Sequence, residues 1–299
     1  MIYKDIELSD KPLFEGYCNI VPNELSDYVF TTLFMWKDTY NIKYTIFKDW
    51  LVMRMALPGE KEIFLMPKGK GDIKEVMNFI EQQSKDMDIP FRIFAVSAAE
   101  KQDIEESMSQ RYSITPCRDY FDYVYSVKDL ISLSGKKYHG KKNHLNTFMA
   151  NEGISYESIS SENLDQVVQA EEEWCKKHDC GEGETELKSE KIAIFRALEN
   201  FDKLGLTGGI LKISGKISGF TFAEPVSGDT VLIHIEKADP DTKGAYTAIN
   251  QVFLEKQWQH MSYVNREEDL GLEGLRKAKE SYHPVKMIEK YGCELKDKI

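Results

Sequence analysis

Cysteine is sparse in this chain and never set at metal-binding spacing. The five residues Cys18, Cys117, Cys175, Cys180 and Cys293 are scattered over 299 positions with no CxxC pair. That excludes a disulfide-stapled scaffold and points to free thiols in a reducing compartment. "CKKHDC" (Cys175 to Cys180, with His178 inside) offers three ligands where a closed zinc site needs four, so a helix end with free thiols is the simpler reading. Six dispersed histidines, no HExxH, no GxxxxGK[ST] and no GxSxG exclude the common metalloprotease, nucleotide-loop and serine-hydrolase signatures. "GKG" at Gly69–Gly71, just ahead of Asp72, is too short for a nucleotide loop and reads as a turn into a helix N-cap. No metal and no cofactor is expected. The opening "MIYKDIELSDKPLF" has no apolar core of a signal peptide, and no run approaches the roughly 18–20 apolar residues of a membrane span. These absences predict a cytoplasmic chain. The excess of acid over base gives a net charge of −11, which argues against wholesale coating by nucleic acid.

What is present is an ordinary globular composition, 41% hydrophobic and 30% charged, at a length where single cores give way to two. Apolar periodicity in the first half predicts helix near Pro22–Trp36 and strands at Ile42–Phe47, Leu51–Met55 and Ile63–Met66, with a turn at Pro58–Lys61. A helix over Asp72–Ser84, a strand at Phe91–Val96, a helix from Ala98 to about Met108 and strand material at Tyr120–Tyr125 follow. The second half repeats the order. Helices at Glu162–Lys177 and Ser189–Phe201 precede strands at Gly208–Ile213, Lys216–Ala223 and Thr230–Glu236, joined by "SGK" and "SGD" hairpin turns. A helix at Ala245–Trp258, a strand at Ser262–Val264 and a helix at Leu272–Ser281 complete it. Antiparallel strands, then helix, strand and helix, occur twice, which predicts an internal duplication with α+β or α/β layering and halves of 1–135 and 136–299.

Three stretches of the second half carry candidate chemistry. "GKKYHGKKNHLNTF", Gly135 to Phe148, concentrates Lys136, Lys137, Lys141, Lys142 and His144 in an acidic protein. It reads either as a phosphate-binding patch or as a solvated helix start. "HIEKADPDTKGAYTAINQ", His234 to Gln251, ends a strand in His234, Glu236 and Lys237 at the mouth of a helix bearing Tyr246 and Asn250. Unpaired N–H groups there favour anions, although a strand end with a capped helix is also an ordinary corner. "NREEDLGLEGLRKAKESYHP" sets Asn265, Arg266 and Asp269 directly after a strand and Arg276 and Lys279 on the next helix. A β–α–β connection would bring Glu236–Lys237 and Asn265–Arg266 out on one side of the sheet. An ion pair of Glu236 with Arg266 or Lys279 at the surface would contribute about 0–1 kcal/mol, so Glu236→Gln should leave folding nearly intact.

"KKNHLNTF", "HIEKAD…KGAYTAIN" and "YVNREEDLGLEGLRKAKESYHP", in that order, resemble the family named for the C-terminal domain of phosphatidylglycerol lysyltransferase. The resemblance spans nearly the whole chain. It implies two tandem GNAT-like halves with mixed β-sheets flanked by helices, akin to Fem-type peptidyltransferases, with the main site in the second half. It also implies an acyl- or aminoacyltransferase drawing on aminoacyl-tRNA or another phosphate-bearing donor, with surface contact to anionic lipid as an acceptor route. On chemistry and placement, Glu236 and Tyr246 are the catalytic candidates, Glu236 as general base or amine orienter and Tyr246 as proton donor. His234, Lys237, Asn250, Asn265, Arg266, Asp269, Arg276 and Lys279 are candidates for substrate binding. A CoA-dependent N-acetyltransferase is the first alternative. It is weakened because Asp241 and Tyr246 stand where a CoA loop wants Gln or Arg and Gly or Ala. A non-catalytic binding module on the same fold is the second.

Overall fold

The computed structural model describes residues 2–20, 24–56, 59, 61–177 and 186–296. Pro22, the Pro58 and Glu60 of one expected turn, and the His178 and Cys180 of "CKKHDC" lie outside the described residues. Cys175 is disulfide-bonded, which corrects the expectation of a free thiol there, whereas Cys18, Cys117 and Cys293 are free.

The chain forms two compact units, residues 1–121 with 288–299, and residues 122–287. Its strands are β1 (Lys4–Asp5), β2 (Lys43–Phe47), β3 (Trp50–Ala56), β4 (Glu62–Leu65), β5 (Lys68–Gly69), β6 (Arg92–Val96) and β7 (Tyr112–Pro116). They continue with β8 (Asp122–Ser126), β9 (Ile154–Ser158), β10 (Thr207–Ile213), β11 (Lys216–Ser227), β12 (Thr230–Ala238), β13 (Tyr263–Asn265), β14 (Lys286–Ile288) and β15 (Tyr291–Leu295). One sheet runs β7-β15-β6-β4-β3-β2-β1, with β5 off β3, and the other β14-β8-β13-β12-β11-β10-β9. The two orders match place for place. In each, one parallel pair (β4 with β6, β12 with β13) is followed by antiparallel neighbours. Each half has also given its last strand away: β8 stands in the second sheet, where β15 stands in the first. Chain continuity suggested halves of 1–135 and 136–299. The compact units divide at 121/122 and reclaim 288–299 because of this exchange.

The second unit's core shows how its sequence folds. Tyr123 and Tyr125 of β8, Val231 and Ile233 of β12, and Ala248, Ile249, Val252 and Phe253 of the Ala245–Phe253 helix pack together, all buried. Ala248, Val252 and Phe253 fall at helical spacing on the face turned to the sheet. The expected helix to Trp258 finishes as a π-helical turn over Leu254–Trp258. Gly244 opens this helix at φ 86°, and a Cβ there would meet the His144 carbonyl oxygen at 2.1 Å. Only glycine lets the His139–Met149 helix approach the helix start that closely.

Candidate functional site

The end of β12 is where the candidate residues of the second unit gather, and a bulge decides which way they face. Ala223 pairs with Ile233 and Phe222 with Ile235, so His234 is an extra residue opposite no partner. Strict alternation would put Glu236 on the face opposite Val231 and Ile233. The inserted residue shifts the phase, and Glu236 and Ala238 join Val231 and Ile233 on the Asn250 side. β13 pairs with β12 only from Thr230 to Leu232. Beyond that level β12 runs on without β13, and Arg266 reaches across the gap.

Glu236 is held there by two donors. Arg266 Nη2 donates to its Oε1 at 2.7 Å and Asn250 Nδ2 donates to its Oε2 at 2.7 Å. The side chains of Glu236 and Arg266 are only 9% and 14% exposed, so this is a buried pair. The expectation of a weak surface bridge is corrected, because an uncompensated charge left at this depth costs far more than one in water. The Arg266 guanidinium also lies 4.8 Å from the Tyr282 ring centroid and 5.6 Å from that of Tyr125. Neither tyrosine was singled out in the sequence. Both are core-like aromatics by pattern, and only the fold sets their rings against a cation. Lys279 donates to the main-chain carbonyls of Arg266 and Glu267, fixing the backbone that carries Arg266. Burial, followed by the nearby Arg266 charge, pulls the Lys279 ammonium down to about 8.

The other candidates are placed differently. Asp269 accepts from Arg276 Nε at 2.9 Å and Nη2 at 2.8 Å, from Tyr123 Oη at 2.6 Å and from the Gly271 amide at 2.9 Å. Burial alone would raise its carboxyl, but these donors outweigh it and hold it well below the usual range. Asp269 and Arg276 thus fasten the turn into the Glu273–Glu280 helix to β8. Asn265 is buried, donating to Asp122 at 3.0 Å and accepting from the Glu267 amide at 2.8 Å. It supports Arg266 from behind. Lys237 points to the opposite face from Glu236, where it pairs with Glu190 and sits 3.5 Å from the Trp174 ring centroid. Tyr246 is 40% exposed, its hydroxyl beside Trp174 and the Ala238 backbone, and burial raises its pKa. On this face a cavity of about 370 Å³ is lined by Gln166, Gln169, Trp174, Lys237 and Asp239 among others. That volume falls in the range of small-molecule sites. Trp174 and Glu190 carried no sequence signal beyond helical periodicity.

His234 is enclosed between two carboxylates, Glu224 at 2.9 Å and Glu267 at 3.4 Å. Burial pushes the imidazole down, but the two carboxylates outweigh it and raise it to about 9. Because the folded value lies above the unfolded one, the charged triad contributes full stability below about pH 6.5 and loses it as pH rises through 9. Parent protein is expected to lose up to about 3 kcal/mol across that window from this group alone. Denaturant titrations at pH 6.5 and 9.5 should show His234→Gln losing markedly less; an equal loss would mean the imidazole is not charged in the fold.

Of the basic stretch, Lys136, Lys137, Lys142 and His144 are exposed, with Lys137 3.5 Å from Asp129. Lys141 alone among its lysines turns inward, its ammonium 3.7 Å from the Tyr282 ring centroid.

A doubled mixed sheet flanked by helices, with one parallel pair per half and a helix springing from the open strand end, is a tandem GNAT-like fold. The chain belongs to the family described as phosphatidylglycerol lysyltransferase, C-terminal, matching it over residues 19–294. A crystal structure of a conserved protein of unknown function from Bacteroides thetaiotaomicron is 38% identical, covers 99% of this chain and 100% of its own, and gives a TM-score of 0.89. L-PGS from Bacillus licheniformis shares the fold at 16% identity, covering 97% of this chain and 93% of its own, with a TM-score of 0.65. An uncharacterised protein of Mycoplasmoides gallisepticum is 28% identical over 177 residues, 57% of this chain. The match spans about half, 54%, of that curated relative's length. Among the described residues, no helix is long and apolar enough to cross a membrane.

Proposed function

We propose that the protein is an aminoacyltransferase that moves an activated amino acid from aminoacyl-tRNA to an amine or hydroxyl acceptor. The observation that carries this is Glu236: a buried carboxylate fixed by Arg266 and Asn250, where β12 runs on past β13 and faces the Ala245–Phe253 helix. Each carboxylate oxygen accepts one hydrogen bond and keeps a lone pair for a further donor. In the transfer, the acceptor nitrogen or oxygen attacks the ester carbonyl and a new amide or ester bond forms. The proton lost by the acceptor passes to Glu236, and the ribose hydroxyl leaves with a proton returned to it. The family match and the fold of L-PGS support the same class of reaction. Aminoacyl-tRNA and a lipid such as phosphatidylglycerol are therefore the first donor and acceptor to try. Incubation with tRNA charged with a labelled amino acid, with and without phosphatidylglycerol vesicles or simple amines, should move label off the tRNA. Label that stays on the tRNA with every acceptor would end this reading.

The turn from Asp239 to Gly244 speaks against CoA as donor. Its Thr242 and Ala245 amides are already bonded to the Asp239 and Thr242 carbonyls. Asp239 and Asp241 stand there with Lys177 bridging them at 2.7 and 2.8 Å. A pyrophosphate would meet two carboxylates and few free donors.

The exposed lysines of the basic stretch are the proposed contact to the tRNA backbone. Changing Lys136, Lys137 and Lys142 together to Ala is expected to weaken tRNA binding. It should also flatten the slope of log affinity against log salt by roughly two to three units. Filter binding between low and moderate salt measures this, and an unchanged slope would make the stretch a solvated helix start.

A further inference from the structure

On the Asn250 face of β12, two cations, Arg266 and the half-buried Lys141, lie near one carboxylate. Glu236 has both oxygens engaged, one by Arg266 Nη2 and one by Asn250. The other arm of the guanidinium, Nη1, is buried with no hydrogen-bond acceptor. Lys141 lies over the same Tyr282 ring that Arg266 approaches, 3.7 and 4.8 Å from its centroid respectively. Around the Tyr282 ring two cations, Arg266 and Lys141, thus face the single carboxylate of Glu236, and Nη1 finds no acceptor at hydrogen-bond geometry although the guanidinium also interacts with the Tyr282 hydroxyl. Buried charges and donors are normally matched, so an anion with free lone pairs is what this arrangement lacks.

We infer that Lys141 and Arg266 form an internal oxyanion subsite, taking a phosphate or carboxylate group of a ligand between the Lys141 ammonium and Arg266 Nη1. A neutral ligand would leave the repulsion between Lys141 and Arg266 in place, and a cation would add to it. An oxyanion supplies what both donors want, as Glu236 already does for the opposite arm of Arg266. The Lys141 ammonium is pushed down to about 8, first by burial and then by Arg266, with Glu236 opposing, which is the condition an added anion would relieve. The two donors come from sequence positions 125 residues apart, on the His139–Met149 helix and just after β13. Along the chain, Lys141 looks like one more member of an exposed basic run.

The subsite stands apart from the acyl-transfer reading and can be tested without it. Thermal unfolding of the full chain is compared in sodium phosphate, sodium acetate and sodium chloride at equal ionic strength and pH 7, for the parent, Lys141→Met and the exposed-neighbour control Lys142→Met. Phosphate or acetate should raise the parent's Tm by several degrees over chloride, as expected for a ligand that binds the folded state. Which of the two acts identifies the group. Lys142→Met should keep the increment. Lys141→Met should lose it, yet be at least as stable as the parent in chloride because the repulsion of Arg266 is gone. A parent that responds to neither anion beyond chloride would overturn the inference. So would a Lys141→Met variant that keeps the whole increment or is less stable in chloride. Failure of label transfer from tRNA leaves all of these outcomes unaffected.

Discussion

Glu236→Gln is expected to lower turnover by roughly two to four powers of ten, the usual loss for a positioned acid–base group. It should also destabilise the fold by about 3 kcal/mol. The stability loss follows from depth: Glu236 and Arg266 are 9% and 14% exposed, and the amide would leave the guanidinium without its counter-charge. A drop in activity could therefore be a folding effect in disguise. The double variant Glu236→Gln, Arg266→Met separates the two. Replacing both members of a buried pair by uncharged groups of similar size is often close to neutral, so most of the 3 kcal/mol should return. Turnover should not return, because the proton acceptor is still missing. Chemical denaturation and the labelled-transfer assay on the same preparations decide it. Activity that recovers with stability would make Glu236 a structural anion and remove the base from the mechanism.

Truncation after Met287 is expected to unfold the first unit while sparing much of the second. β15 lies between β6 and β7 and pairs antiparallel with both. Its removal strips two ladders at once and takes away buried Tyr291 and Cys293. It also removes Lys290, which is bonded to Ser26 at 3.1 Å and paired with Asp27 at 2.7 Å. The loss exceeds about 5 kcal/mol, comparable to the whole stability of an ordinary domain. Hydrogen exchange should show protection vanishing across β2, β3, β4 and β6 and persisting in β10, β11 and β12. A peptide of residues 288–299 added in trans should restore part of it. Full protection of the first unit in the truncated chain would show that the exchanged strand is dispensable.

The sequence determined by itself those features that depend on local periodicity. The helices from Ala98 to about Met108, at 72–84 and at 245–258, and the three strands from 207 to 238 are legible within a few positions, because apolar spacing is set by neighbours in the chain. The repeated order and the three motifs that resemble the family were legible for the same reason. β7, β9, β14 and β15 are not: "YSITP", "ISYES", "KMI" and "YGCEL" are too short or too polar to alternate clearly, and are strands because a partner strand meets them. The exchange of β8 and β15 is likewise invisible along the chain, since it links positions at opposite ends. The site divides in the same way. Glu236, Arg266 and Asn250 stood out by residue type. Their meeting was decided by the bulge at His234, which turns Glu236 toward the helix, and by the early end of β13, which leaves room for Arg266. Charge patterning joined Lys141 to the surface and Asp269 and Arg276 to the substrate. The fold drew Lys141 inward over Tyr282 and closed Asp269 on Arg276, because burial and partnership are settled by what packs from elsewhere in the sequence.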